Sequence, residues 1–241
     1  MSDLTLWLKD WPWRPGRLDV RRIQAVDGRP VLQVRVELGI LQLEADGRPD
    51  GGDFRGAATV LAWFQAQPDA KVDADGVAAL AAEMAQFRQR AMACALIEDW
   101  PRAQRDAQHN LDVLDLIALR AQDAPARRRF ETWRPHEQAT LARAASALAM
   151  ASGRRDLARA ALDAGLRQVQ ATLARLGRSD DAGHCPETAL LRALLDALTL
   201  KLPGSQRLEL QQRLEEAVRA ENFELAAILR DELRQMKGEA Q

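Results

Sequence analysis

The chain has 241 residues, 47% of them hydrophobic and 29% charged, with a formal net charge of −1. Such a length and composition accommodate one large or two small domains around a true core, and exclude a disordered or fibrous chain. The near-neutral balance excludes a strongly basic nucleic-acid binder held mainly by counterion release, and two cysteines, Cys94 and Cys185, are too few for a disulfide scaffold and point to a reducing compartment.

The first twenty residues carry Asp3, Lys9, Asp10 and Arg14 and lack the apolar core of a secretory leader. Trp7, Trp11 and Trp13, interleaved with Pro12 and Pro15, precede an alternating segment. There Leu32, Val34 and Val36 alternate with Gln33, Arg35 and Glu37, the period of a half-buried strand. Asp27-Gly28 and Asp46-Gly47 are turn dipeptides on either side. Leu41 and Leu43 alternate in the opposite phase, so Gly39 marks a bulge or a tight turn, since a one-residue slip exchanges strand faces. A small antiparallel meander of two or three strands is predicted over residues 18–46. So few strands are marginal alone and must pack on helices or on a partner.

Composition then changes. Residues 1–55 hold two alanines and the remaining 186 hold 42, and alanine is the strongest helix former. Helices are predicted at 56–66, 75–98, 100–122, 134–152, 154–177, 186–202, 205–220 and 222–237. Pro68, Asp99-Trp100-Pro101, Pro125, Pro135, Gly153, the Gly177–Pro186 loop and Pro203-Gly204 supply the breaks. The short loops imply antiparallel neighbours. The most apolar stretch, Thr188–Leu202, contains Arg192, Asp196 and Lys201 and cannot span a bilayer, so no membrane partner and a cytoplasmic location are expected.

Three corners share a pattern: Glu98-Asp99-Trp100 before Ala103, Arg155-Asp156-Leu157 before Ala158, and Glu221-Asn222-Phe223 before Ala226. In each, a short polar residue can cap the incoming helix, a large apolar residue can fill the corner, and alanines permit close helix approach. The first two corners resemble those of tetratricopeptide repeats in degenerate form, at a longer spacing than that family uses; a generic alanine-rich bundle is the alternative.

Between residues 127 and 178, eleven arginines face four acids. Arg127, Arg128 and Arg129 form the densest run, with Arg154 and Arg155 further on. Such a segment can bind phosphate backbones or be a solvated face balanced elsewhere. Phe130 and Trp133 are too few for a single-strand stacking platform.

Residues 205–237 read SQRLELQQRLEEAVRAENFELAAILRDELRQMK. Leu210, Leu214 and Val218 recur every four residues on one helix, and Leu225, Leu229, Leu233 and Met236 do so, with one shorter step, on the next. A hairpin this short cannot bury both stripes unaided and must dock on its own protein or on a partner. The segment resembles the UVR motif of the UvrB and UvrC repair subunits, the ClpC chaperone ATPases and McsA-type activators. The match rests on Leu210, Leu214, Ala217 and Val218, on the Glu221-Asn222-Phe223-Glu224 turn, and on Ala226-Ala227, Leu229, Arg230-Asp231 and Leu233. The resemblance implies a protein-interaction hairpin anchored by Phe223, pairing with itself or with another UVR-bearing protein.

The enzymatic companions of that motif leave no trace in the sequence. A chain without tyrosine cannot hold the paired tyrosines of the UvrC GIY-YIG nuclease. No G-x-x-x-x-G-K-S/T phosphate loop occurs, and none of Lys9, Lys71, Lys201 and Lys237 follows such a glycine. Cys94 and Cys185 stand alone, unlike paired zinc cysteines. His184-Cys185 is a poor metal pair, with His109 and His136 elsewhere. Asp73-Ala74-Asp75-Gly76 would place Lys71 and Ala82 at the ends of a calcium loop, so Asp75 is expected instead to cap a helix. Cys94, on an apolar helix face, reads as a buried structural thiol and not the nucleophile of a Cys94–His109 pair.

The sequence therefore predicts a mostly α protein: an N-terminal meander (1–55), a helical-hairpin domain (56–203) and a UVR-like hairpin (205–237). Its expected function is that of a non-enzymatic adaptor in stress response, protein quality control or DNA repair. The interaction residues are Leu210, Leu214, Val218, Phe223, Leu229, Arg230, Asp231 and Leu233. The alternative is a nucleic-acid-associated repair accessory using 127–178, with Arg127, Arg128, Arg129, Arg154 and Arg155 as its anion patch. No catalytic residue, cofactor or metal is expected, and a homodimer is.

Overall fold

A computed structural model describes residues 5–183, 185–200, 204–219 and 229–230. Its elements run α1 (Thr5–Asp10), β1 (Asp19–Gln24), β2 (Pro30–Val36), β3 (Gly39–Glu44), α2 (Val60–Gln65), α3 (Ala74–Leu96) and α4 (Trp100–Arg120). They continue with α5 (Ala124–Glu131), α6 (Arg134–Ala151), α7 (Arg155–Arg175), a 3₁₀ turn at Ser179–Gly183, α8 (Pro186–Leu200) and α9 (Gly204–Arg219). The class is the mostly α one predicted, with its small N-terminal antiparallel sheet. The chain forms two compact units, Met1–Arg192 and Ala193–Gln241.

Two helices depart from expectation. The Trp7 segment forms α1, and α5 occupies the stretch where Pro125 suggests a break. Proline fits the first helical turn, where its missing N–H has no partner to lose, and Asp123 caps α5 by accepting from the Ala126 N–H at 3.1 Å. The predicted 56–66 helix shortens to α2 because Thr59 caps it, accepting from Ala62 N–H at 2.9 Å.

The sheet order is β1-β2-β3, all antiparallel. Val36 pairs with Gly39, leaving Glu37-Leu38 as a tight connection, so the phase inversion at Gly39 is a hairpin and not a bulge. Strand β2 is covered on both faces, not half-buried as its alternation suggests. On one face Leu32, Val34 and Leu43 pack against Ala93, Cys94, Ala103 and Ala144 of the helices. On the other, Gln33 accepts from Arg21 at 2.8 Å and donates to Gln42 at 2.9 Å. Arg35 donates to the carbonyls of Trp11 and Gly39 at 2.6 and 2.9 Å, and to that of Val36. The Arg21 guanidinium lies 4.2 Å above the Trp11 ring. Buried polar side chains on a central strand persist here because carbonyls and amides satisfy them.

Among the helices, α3 packs on α4, α4 on α6 and α6 on α7. The main core joins Phe64, Leu80, Met84, Leu114, Ile117 and Phe130. The corners after α3 and α6 share an exit. Glu98 and Gly153 take left-handed φ values of 59° and 70°, and the next N–H in each case, Asp99 or Arg154, donates back to Cys94 or Ala149 at 2.8 Å. Their entries differ from expectation. Asp99 makes no side-chain cap to α4; its carboxylate pairs with Arg22 at 3.1 Å and Arg102 at 2.9 Å. Leu157 is 52% exposed and does not fill its corner, whereas Trp100 packs beside the sheet. Asp73, not Asp75, caps α3, accepting from Gly76 N–H at 2.8 Å. The Glu221-Asn222-Phe223 corner lies outside the described residues.

Helices α6 and α7 touch through Gly165. A Cβ there would sit 2.2 Å from the Ala142 Cβ, which is short and cannot rotate aside. Alanine at an ordinary helix position stabilises by about 0.5–1 kcal/mol over glycine. Gly165→Ala is expected instead to destabilise by about 1–3 kcal/mol in urea unfolding, with Ala142→Gly in the same chain recovering part of the loss.

Candidate interaction site

Helix α9 carries the first half of the sequence-predicted hairpin. Leu214 and Ala217 on one of its faces meet Leu229, and Ala217 and Leu229 are each only 3% exposed. A methyl at position 217 allows a close approach there. Val218, on the flank of that contact, is 52% exposed. Gln211, Gln212, Arg213, Glu215, Glu216 and Arg219 complete an exposed polar surface around it. Arg230 is exposed beside buried Leu229. The Leu210 side chain and residues Phe223, Asp231 and Leu233 lie outside the described residues.

The basic residues do not form one patch. Arg127, Arg128 and Arg129 lie on α5, before α6, and Arg154 and Arg155 follow the end of α6. The 18 residues of α6 span about 27 Å between these groups. Several other arginines of the 127–178 segment have partners. Arg134 pairs with Glu131 at 2.6 Å and Asp115 at 2.8 Å, Arg159 lies 3.7 Å from Asp163, and the Arg143 guanidinium stands 5.0 Å over the Trp100 ring.

The densest group of titratable side chains lies in a seam between α3 and α4 that sequence reasoning missed. Arg90 and Asp106, both fully buried, form two hydrogen bonds of 2.7 and 2.9 Å. The remaining Arg90 nitrogen donates to the carbonyls of Glu44 and Gly47 at 2.9 and 2.7 Å. Arg105 adds a 2.9 Å bond to Asp106 and reaches Asp46 at 2.8 Å. Buried Glu83 accepts from the N–H groups of Val60 and Leu61 at 2.6 and 3.1 Å, and from His109 Nε2 at 3.0 Å. The His109 ring stacks on Phe87 at 3.7 Å. One signal was available: Glu83 and Arg90 fall on the same α3 stripe as Leu80, Met84 and Phe87, and a charge at such a position demands a partner on the facing helix. These groups are spent on one another and on backbone.

Cys94 is fully buried, and burial, with Asp106 and Asp99 nearby, pushes its thiol up to about 12, so it stays protonated at neutral pH. Cys185 is also buried and contacts the Thr188 hydroxyl at 3.3 Å. Among the described residues no group of three or more His, Cys, Asp or Glu side chains could hold a metal ion, and no helix is long and apolar enough to cross a membrane.

The described fold is that of a helical protein with an N-terminal sheet and a short amphipathic helical element at its C-terminal end. Residues 206–239 match the UvrB/uvrC motif, UVR, a range that takes in most of α9 and the Leu229 contact. Comparison with curated proteins and with solved structures yields no match.

Two outcomes follow from the seam. Arg90→Met takes from buried Asp106 its two-bonded partner and leaves it only the single bond from Arg105; it is expected to cost about 3–5 kcal/mol in urea unfolding, most of it recovered by Arg90→Met with Asp106→Leu. Hydrogen bonding from Arg102 and then Arg105 holds the Asp46 carboxyl down at about 2, against an ordinary 3.8. Because the folded value is the lower one, its contribution is complete above about pH 4 and disappears as pH falls toward 2. Asp46→Asn should therefore show a smaller loss of urea midpoint than the parent between those two pH values.

Proposed function

We propose that the protein is a non-enzymatic adaptor whose 205–237 hairpin docks against a second hairpin of the same kind, on another copy of the chain or on another UVR-bearing protein. The observation that carries this reading is the exposed Val218 beside the Leu214–Ala217–Leu229 contact, inside the UVR match at 206–239. That contact leaves Val218 in water, apolar surface that a second hairpin would bury. The missing nuclease tyrosines and phosphate loop support a module working without its enzymatic companions, in a repair, stress or quality-control setting. The cytoplasmic location belongs to the same proposal.

The test is light-scattering mass of the full chain, together with affinity capture by tagged full chain. A dimer, or a UVR-bearing partner recovered by capture, is expected. Val218→Glu and Phe223→Ala should both abolish it while leaving the helical circular dichroism of the chain unchanged. A monomeric parent chain that captures no hairpin-dependent partner overturns the reading. Nucleic-acid association through Arg127–Arg129 and Arg154–Arg155 has less support, because those groups stand at opposite ends of α6 and their neighbours are paired. It would be favoured by DNA affinity at low salt that falls steeply with added salt.

A further inference from the structure

The segment linking α2 to α3 and the corner linking α4 to α5 border an open, shallow cleft of about 520 Å³. Backbone bonds set its walls. Val72 N–H donates to the Arg120 carbonyl at 3.1 Å, and Gln122 N–H donates to the Val72 carbonyl at 3.0 Å, closing a parallel bridge between the two walls. The charged side chains lining it are Lys71, Arg120 and Arg127 against a single acid, Asp69. Arg120 is committed to structure: its guanidinium donates to the carbonyls of Phe64 and Gln67 at 2.9 and 3.1 Å, at the end of α2.

Lys71 and Arg127 are in a different position. Among the described residues no carboxylate is within ion-pair distance of either side chain, although Arg127 is half-buried. Arg134, seven residues on, is by contrast doubly paired. Leu119, 77% exposed, and Pro68 give the same cleft an apolar wall. Its volume falls in the range of about 300–1,000 Å³ usual for small-molecule sites.

We propose that this cleft binds a small phosphorylated molecule, its phosphate between the Lys71 ammonium and the Arg127 guanidinium and its organic body against Leu119. A phosphate monoester carries close to two negative charges at neutral pH, which matches two unpaired cations better than a carboxylate does. The site is independent of the C-terminal hairpin and of its proposed role.

Titration calorimetry on the full chain tests it, with inorganic phosphate and phenyl phosphate as probes at matched chloride ionic strength. Saturable one-to-one binding is expected, tighter for phenyl phosphate. Lys71→Gln and Arg127→Gln should each weaken it about tenfold, Lys71→Arg should retain it, and Arg167→Gln, at an exposed arginine outside the cleft, should not change it. Thermal melts without ligand should be the same for all four variants. Absence of saturable binding by either probe overturns the proposal, as does an equal loss in Arg167→Gln, which marks diffuse charge attraction. Equal affinity for the two probes overturns the organic-body half and leaves free phosphate as the ligand.

Discussion

The buried Arg90–Asp106 pair joins three elements through one fully buried guanidinium. Its two ends lie on α3 and α4, and the free guanidinium nitrogen reaches the carbonyls at the end of β3 and in the turn beyond it. A three-stranded sheet this small does not hold its shape alone. Here it is fastened twice, by Leu32, Val34 and Leu43 packing on the helices and by guanidinium bonds to its last carbonyls. The Arg90–Asp106 bonds are out of water, so losing one partner exposes the other to the full desolvation penalty. That penalty makes the docking specific in register as well as favourable. Glu83 acts similarly about two turns earlier on α3, where it tethers the start of α2.

Small residues govern the rest of the packing. Gly165 against Ala142, and fully buried Ala103, Ala107, Ala144 and Ala158, let the helices approach more closely than leucine would allow. Alanine richness serves both helix propensity and this short separation. The left-handed residues Glu98 and Gly153 turn the chain back at the ends of α3 and α6, so the long helices meet along their lengths. With this frame closed in on itself, the described residues of the other unit keep a small apolar contact flanked by an exposed valine. The adaptor reading rests on that contrast.

Legibility in the sequence followed the reach of the signal. The β2 alternation and the turn dipeptides located the sheet to within a residue or two, and the alanine step located the start of the helices that follow it, though not α1 before it. The UVR resemblance at 205–237 agrees with the family match at 206–239. Proline misled at α5, because one residue type both breaks a helix interior and opens a first turn. Asp99, expected to cap α4, pairs with Arg22 and Arg102 instead, because a carboxylate that can cap can also pair with an arginine within reach; at α3 the cap falls on Asp73, two residues before the expected Asp75. Arg127–Arg129 and Arg154–Arg155 look continuous in a charge count and lie a helix length apart in space.

By itself the sequence determined what depends on near neighbours along the chain: the class of fold, the meander, most of the described helices, and the UVR-type motif at 206–239. Tertiary structure alone decided which polar groups are used up and which are left over. Arg90, Asp106, Glu83 and His109 became buried seam residues, Arg35 and Gln33 covered a strand face, and Lys71 and Arg127 were left facing a cleft without a counter-charge. The reason is that satisfaction of a charge or a hydrogen bond is a property of pairs. In this chain the partners lie up to 77 residues apart, as from Arg22 to the Asp99 carboxylate, beyond any local pattern.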